Sequence, residues 1–345
     1  MKKETVLYRQ YRPQTFTDVL GQEPVVVALE SSIKNGRVSH AYLFAGSRGT
    51  GKTSIARIFS RALKVSANDT YEIDAASNRG IDDIRELRDG VAVLPFESPY
   101  KVYILDEVHM LSKDAWNALL KTLEEPPAHV IFILATTELE KVPETVISRC
   151  QVFTFKKPSK AILKDLVESV AKSEKVKLAQ GVSELVATLG DGSFRDTLGI
   201  LQKVIGVSGD KAISIGEVEQ ITGAPKSSII NECVSAIAEK NVSVALSAIA
   251  KAAKEGISMK LFAELVLERL RAILLVRSAP ALAKEIETAS SEDDWKLVKD
   301  LSGKPDAVNS ETLLSFIRAA QMIGRTSIDS LPLELAVVEV CKVKN

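Results

Sequence analysis

A parallel α/β sheet followed by an all-helical second half is the fold class this sequence predicts. Three observations carry it. Short apolar runs alternate with helical stretches over residues 1–155. The segment Gly46-Ser47-Arg48-Gly49-Thr50-Gly51-Lys52-Thr53 sits between one such run and a helix. Beyond Pro158 the chain reads almost entirely as helices. Runs that are apolar throughout, joined by helices, indicate a parallel sheet covered on both faces.

Ala41 to Ala45 reads as a buried strand, and Ser54 to Lys64 as the helix after the glycine-rich loop. The loop itself fits G-x-x-x-x-G-K-[ST] in full. Its three glycines let the backbone curl so that N–H groups face inward on a triphosphate. Lys52 can then reach the β- and γ-phosphates, and the Thr53 hydroxyl can ligate Mg²⁺. A helix N-terminus beneath the loop adds partial positive charge where phosphate sits. Strand, loop and helix together go beyond an ordinary glycine-rich turn and predict nucleoside triphosphate binding.

Tyr71 to Asp74 is the next candidate strand, and Ile81 to Val91 has helical spacing at Ile84, Leu87 and Val91. Lys101 to Asp106 is a strand that stays apolar until it ends in acid. Ser112 caps a helix to Glu125, which Pro126-Pro127 stops. Val130 to Ala135 is a further strand. An acid at the C-terminal edge of a parallel strand lies where α/β proteins bind ligands. Asp106 therefore suits Mg²⁺ held with Thr53, and Glu107 suits a base that polarises water. Read alone, the two acids would be a solvated strand end. Thr137 could reach the γ-phosphate or the attacking water, although capping would explain an isolated Thr136-Thr137 pair as well. Arg149 by itself is a surface arginine, but phosphoryl transfer gains from an arginine that neutralises developing charge, often from a neighbouring subunit. Arg195, at the start of a helix with Ser193 and Asp196 in capping-box-like spacing, could report the γ-phosphate to the second domain. A helix-surface arginine is its plain alternative.

The helical half divides at Ala224-Pro225-Lys226. Before this linker lie Ser159 to Lys175, Gly181 to Leu189 and Ser193 to Ile205. After it, Met259 to Arg277 is the clearest helix, with a broad apolar face. Leu331 to Val343 is the last, with Pro332 in its first turn. The charged stretch Ala283 to Ala289 reads as a solvated helix.

Composition narrows the function classes. Of 345 residues, 45 are Lys or Arg and 45 are Asp or Glu, so no global charge draws the chain to nucleic acid or membrane. No apolar stretch approaches the ~20 residues of a membrane span. The N-terminus leads into polar sequence rather than an apolar signal core. Cys150, Cys233 and Cys341 lie far apart and form no metal-ligand spacing. A cytoplasmic protein is expected, without a membrane partner.

Taken together, the sequence resembles the AAA+ clamp loaders, of the tau/gamma type of bacterial DNA polymerase III. The resemblance rests on Tyr11-Arg12-Pro13-Gln14-Thr15-Phe16, Gly21-Gln22-Glu23, Ser39 to Phe44, Ile73 to Gly80, Asp106 to Leu111, Asn117 to Pro127 and Ser148-Arg149-Cys150. It is dense over residues 5–205 and diffuse beyond. It implies an AAA+ α/β domain over 1–158, a small helical lid domain over 159–224 and an all-α collar domain over 225–345. It implies ATP and Mg²⁺ as cofactors. Gly46, Ser47, Arg48, Gly49, Thr50, Gly51, Lys52 and Thr53 would form Walker A, and Asp106 and Glu107 Walker B. Thr137 would be sensor 1, Arg195 sensor 2, and Arg149 the arginine finger. Tyr11 and Pro13 would lie near the adenine. The implied partners are delta and delta-prime subunits in a hetero-oligomeric ring, the sliding clamp and primed DNA.

Two departures stand out. The family usually inserts a four-cysteine zinc module between the P-loop helix and the Ile-Asp-Ala-Ala-Ser strand. Here only Val65 to Glu72 fills the gap, without cysteine, so no zinc is expected. The chain also ends with the collar, like the short gamma form. A zinc-free core also fits an archaeal or eukaryotic clamp-loader small subunit. A nucleotide-binding scaffold without hydrolysis is a second alternative, which the intact Lys52, Asp106 and Glu107 oppose. A Holliday-junction helicase motor would need a C-terminal winged domain, whereas residues 226–345 read as a helical bundle. Any DNA-directed DNA polymerase classification would come from the holoenzyme.

Overall fold

A computed structural model describes residues 6–78, 80–208, 212–304 and 308–341. These form two compact units, one of residues 1–163 and 190–199, the other of residues 164–189 and 200–345. Arg79, within the Ile73 to Gly80 stretch, and Val343, the expected end of the last helix, lie outside the described residues.

The first unit is built on a five-stranded sheet: β1 (Ala41–Ala45), β2 (Thr70–Asp74), β3 (Lys101–Asp106), β4 (Val130–Thr136) and β5 (Gln151–Thr154). The strand order is β2-β3-β4-β1-β5, and every pairing is parallel. The three central strands are buried on both faces, as their unbroken apolar runs anticipate. Alternation along each strand divides the core in two. Leu43, Tyr103, Leu105, Phe132 and Leu134 face Ile84, Leu87, Trp116, Leu119 and Leu123. Tyr42, Phe44, Ile104, Ile131 and Ile133 face Leu29, Ile55, Ala56 and Phe59. β5 was not anticipated. It is a short edge strand, mostly exposed, and its four residues give no periodic signal.

The order has a consequence for chemistry. β4 lies between β3 and β1, so the C-terminal ends of three adjacent strands carry Asp106-Glu107, Thr136-Thr137 and the glycine-rich loop side by side. Such an edge is where open parallel sheets bind ligands.

The Val65 to Glu72 stretch forms a 3-10 turn, Ala67–Asp69, leading into β2. Asp69 is fully buried. Its carboxylate accepts from the backbone N–H groups of Phe96 (2.5 Å), Glu97 (3.0 Å) and Ser98 (2.9 Å). Burial pushes this carboxyl up, but those donors outweigh it and hold the group at about 2. A folded value below the unfolded one, about 3.9, contributes stability that is present above pH ~4 and lost as pH falls toward 2. Asp69→Asn is expected to cost roughly 2 kcal/mol at neutral pH by weakening these charge-assisted bonds. In urea unfolding, the gap between variant and wild type should close between pH ~4 and pH ~2. A gap of constant size would count against this account.

In the second unit, the clearest predicted helix spans Met259–Ser278, and the last is seen over Leu331–Cys341. Residues 229–341 share one apolar core, including Ile229, Val234, Ile249, Phe262, Val266, Leu270, Phe316 and Val337. Arg269 and Asp294 form an ion pair of 2.6 Å inside it, and Asn231 donates to the same Asp294. Among the described residues no helix is long and apolar enough to cross a membrane.

Candidate nucleotide-binding and hydrolysis site

The glycine-rich loop leaves the end of β1 and enters the helix Lys52–Ala62, with Gly51 preceding its first residue. Two glycines are there because neighbours crowd them. Gly46 has φ +155°, and a Cβ on it would stand 2.5 Å from the Phe155 carbonyl oxygen. Gly49 has φ +74°, and a Cβ there would collide with the Ser193 hydroxyl at 2.0 Å. The Phe194 N–H also donates to the Gly49 carbonyl at 3.0 Å. The loop is thereby seated on the turn that presents Arg195. Thr50 closes it locally, its hydroxyl donating to the Ser47 carbonyl at 2.9 Å.

Lys52 is buried, and its ammonium donates to the carbonyls of Gly46 (2.6 Å) and Ser47 (3.0 Å). Burial lowers its pKa, Glu107 and Asp106 oppose that, and Arg195 adds to it. The Phe194–Gly49 hydrogen bond brings the turn that carries Arg195 to the same loop. Thr53 donates to Asp106 Oδ2 at 2.7 Å. A hydroxyl and a carboxylate this close form a pair of hard oxygen donors at a strand end, which fits Mg²⁺.

Glu107 follows with φ 51° and ψ 44°, a left-handed conformation that costs a non-glycine residue roughly 1–2 kcal/mol. The kink turns its side chain toward β4, where the Thr137 hydroxyl donates to Glu107 Oε2 at 3.1 Å. Lys52, Thr53, Asp106, Glu107, Thr137 and Arg195, picked out separately in the sequence, are therefore neighbours.

The Tyr8 ring lies 5.6 Å from the Arg195 guanidinium and 5.9 Å from that of Arg9. Tyr11 and Pro13 are half-buried just after the short helix Leu7–Gln10, and Arg61 of the P-loop helix donates to the adjacent Gln14 carbonyl at 2.7 Å. Burial and then Arg57 lower the pKa of Arg12, Glu72 opposes, and Arg195 and Arg9 lower it further. Arg57 is matched by a two-pronged contact to Glu72 at 2.7 and 2.6 Å. The cations around the loop outnumber their acidic partners, an arrangement that attracts a polyanion.

Arg149 sits apart from this group. Its guanidinium donates to Glu124 at 2.7 Å and to the Thr145 carbonyl at 2.6 Å. The sequence reading missed Gln22, whose buried amide donates to the Lys156 carbonyl at 2.7 Å and reaches the Thr50 carbonyl at 3.5 Å. It named Thr136 only as the neighbour of Thr137 and gave His109 no role; the side chains of Thr136 and His109 meet at 3.1 Å behind Glu107.

Comparison with known proteins places the chain. A family model described as DNA polymerase III, delta subunit, matches residues 21–79 and 64–159. The DNA polymerase III subunit tau of Bacillus subtilis (strain 168) is 38% identical, over 98% of this chain and 63% of its own length. The chain belongs to the tau/gamma family of DNA polymerase III subunits. Further family members are similar to it. The tau subunit of Escherichia coli (strain K12) is 38% identical over 80% of this chain and 46% of its own length. The gamma/tau subunit of Mycobacterium tuberculosis (strain ATCC 25618 / H37Rv) is 37% identical over 83% and 54%. The chain thus spans between 46% and 63% of the length of these tau/gamma relatives. Among solved structures, the RuvB Holliday junction branch migration motor of Thermotoga maritima aligns with a TM-score of 0.53 at 20% identity. That alignment covers 72% of this chain and 86% of RuvB and shows the shared AAA+ P-loop fold.

Proposed function

We propose that this tau/gamma family member is an ATP-hydrolysing motor subunit of a bacterial clamp loader, which opens a sliding clamp and places it on primed DNA. The observation that carries this is the convergence of Lys52, Thr53, Asp106, Glu107, Thr137 and Arg195 at the C-terminal edge of β1, β3 and β4. Bound ATP with Mg²⁺ supplies the phosphoanhydride and the charge that the cationic loop is built to receive. Lys52 leaves its loop carbonyls to balance phosphate charge. Thr53 and Asp106 would hold the metal, which would offset phosphate charge. Glu107 takes the proton of the attacking water, and Thr137 aligns it. Arg195, seated against the P-loop through Phe194 and Ser193, reports occupancy to the lid, and Arg149 serves the site of the adjacent subunit. Differential affinity for nucleotide in two arrangements then drives the cycle.

On this reading the chain divides into an AAA+ domain over 1–158, a lid over 159–224 and a collar over 225–345. Its partners are delta- and delta-prime-type subunits in a hetero-oligomeric ring, in the cytoplasm, without zinc. The test is steady-state ATP hydrolysis by the assembled complex with sliding clamp and primed DNA. Clamp and DNA together should stimulate the wild type; no stimulation would refute clamp loading. Glu107→Gln should keep ATP affinity and lose turnover by roughly 100-fold, the lower range for removal of a general base. Normal turnover by that variant would remove Glu107 from the chemistry.

A further inference from the structure

His109 lies in the 3-10 turn Val108–Met110 immediately after β3, with its side chain 7% exposed. Each ring nitrogen faces a polar partner. Nδ1 is 3.1 Å from Thr136 Oγ1 and 3.5 Å from Glu107 Oε2, and Nε2 is 3.3 Å from Glu138 Oε1. Glu138 also pairs with Lys141 at 2.7 Å, and its backbone N–H donates to Thr136 Oγ1 at 3.0 Å. The imidazole therefore stands between the Glu107 carboxylate and the turn at 136–141. That turn leads through Pro143 and the helix Glu144–Ile147 to Arg149.

An apolar side chain could fill this space without placing a nitrogen toward each of two carboxylates. Burying an imidazole is favourable only if its polar atoms are matched. The contacts on Glu107 are also one-sided. Thr137 and His109 both address Oε2, and among the described contacts none involves Oε1. One oxygen is anchored and the other is left for a proton acceptor's work.

We propose that His109 is a positioning residue that fixes Glu107 through Oε2 and ties it to the turn leading to Arg149. This rests on the reading of Glu107 as the group that polarises water. A neutral imidazole carries one N–H; placed on Nδ1 it is shared between Glu107 Oε2 and Thr136 Oγ1, and Thr136 Oγ1 also accepts from the Glu138 N–H, so the tie to the turn runs through Thr136. The ring thereby links the chain's own hydrolysis site to the element offered to its neighbour.

The first test needs no nucleotide. The chain has three histidines, His40, His109 and His129, so their ring nitrogens can be followed individually by NMR on the full chain. Glu107→Gln should move the Nδ1 resonance of His109 and Glu138→Gln its Nε2 resonance, with His40 and His129 unmoved. If neither substitution moves His109, the proposal is overturned. The second test is turnover in the assembled complex. His109→Ala should lower kcat roughly 10- to 100-fold, the scale of a sub-ångström to 1 Å misplacement, with KM for ATP within about twofold. His109→Asn, which keeps a donor near the Nδ1 position, should recover part of the loss. It also serves as the kinetic test if the alanine variant does not fold, and recovery by His109→Gln alone would contradict the Glu107 contact. Wild-type kcat in His109→Ala beside an inactive Glu107→Gln refutes the positioning role. Normal turnover in Glu107→Gln refutes the assignment of the base instead, leaving the NMR result to decide the contact.

Discussion

Lys52→Ala is expected to abolish productive ATP binding, and with it every nucleotide-driven step. The lysine occupies the one position from which an ammonium can be withdrawn from the loop and set against phosphate. It is buried, its Nζ bridges the carbonyls of Gly46 and Ser47, and Asp106 and Glu107 lie close enough to influence its ionisation. The loop N–H groups provide partial charges only. Removing the full charge from a desolvated contact with phosphate should cost about 3–5 kcal/mol, or 10²- to 10⁴-fold in affinity. Calorimetric titration of ATP with Mg²⁺ into the full chain measures this directly. Lys52→Arg should fail as well, because the bulkier planar guanidinium has no room against Gly46 and Ser47. Thermal unfolding without nucleotide should change little, since water can satisfy the two vacated carbonyls. Unchanged ATP affinity in Lys52→Ala would mean that the loop binds something other than a triphosphate.

The parts legible in the sequence share one property: a local pattern that has a single structural solution. β1 and β3 follow their apolar runs, because a strand buried on both faces takes a polar side chain only where it is matched, as Lys101 at the start of β3 is by the Gly90 carbonyl at 2.8 Å. Ser112 was readable as a cap, and its hydroxyl accepts from the Ala115 N–H at 3.2 Å. The glycine-rich loop and the acids after β3 were readable because their spacing is dictated by phosphate and metal.

What was not legible depends on contacts distant in sequence. Tyr8 carries the ring beside Arg195; that contact spans almost 190 positions and leaves no local trace. Gln22 sits in a polar stretch, yet its amide ties residues 50 and 156. Thr136 and Thr137 look equivalent as a dipeptide. Strand alternation separates them: Thr136 is fully buried against His109, and Thr137 turns to Glu107. That distinction was available from the period of two, given the register at the end of β4. His109 could have been noticed as the residue two positions beyond Glu107, but only the left-handed turn at Glu107 brings the ring back behind it.

Arg149→Ala should leave ATP binding by the isolated chain nearly intact and cripple hydrolysis in the assembled complex. The guanidinium follows the helix Glu144–Ile147, and its described partners are Glu124, Thr145 and Ser148, none of them in the P-loop. With Glu124 half exposed and Arg149 one-third exposed, the pair stands at the surface, where it holds the arginine extended rather than folded into its own site. A screened ion pair of this kind contributes little to stability, so its loss should not unfold the chain. The effect on catalysis is of another order. An arginine supplied in trans stabilises charge that develops only in the transition state, and strong examples are worth 10³- to 10⁵-fold in turnover with little change in affinity. Mixed assemblies provide the decisive measurement. A Lys52→Ala subunit that retains Arg149 should support hydrolysis by a neighbouring wild-type site, whereas a subunit carrying both substitutions should not. Glu124→Ala offers a control on the holding contact: it should weaken this support without affecting the ATP affinity of its own subunit. Were Arg149→Ala to impair only the site of the chain that carries it, the arginine would be acting in cis, and the proposed ring arrangement would lose its principal structural support.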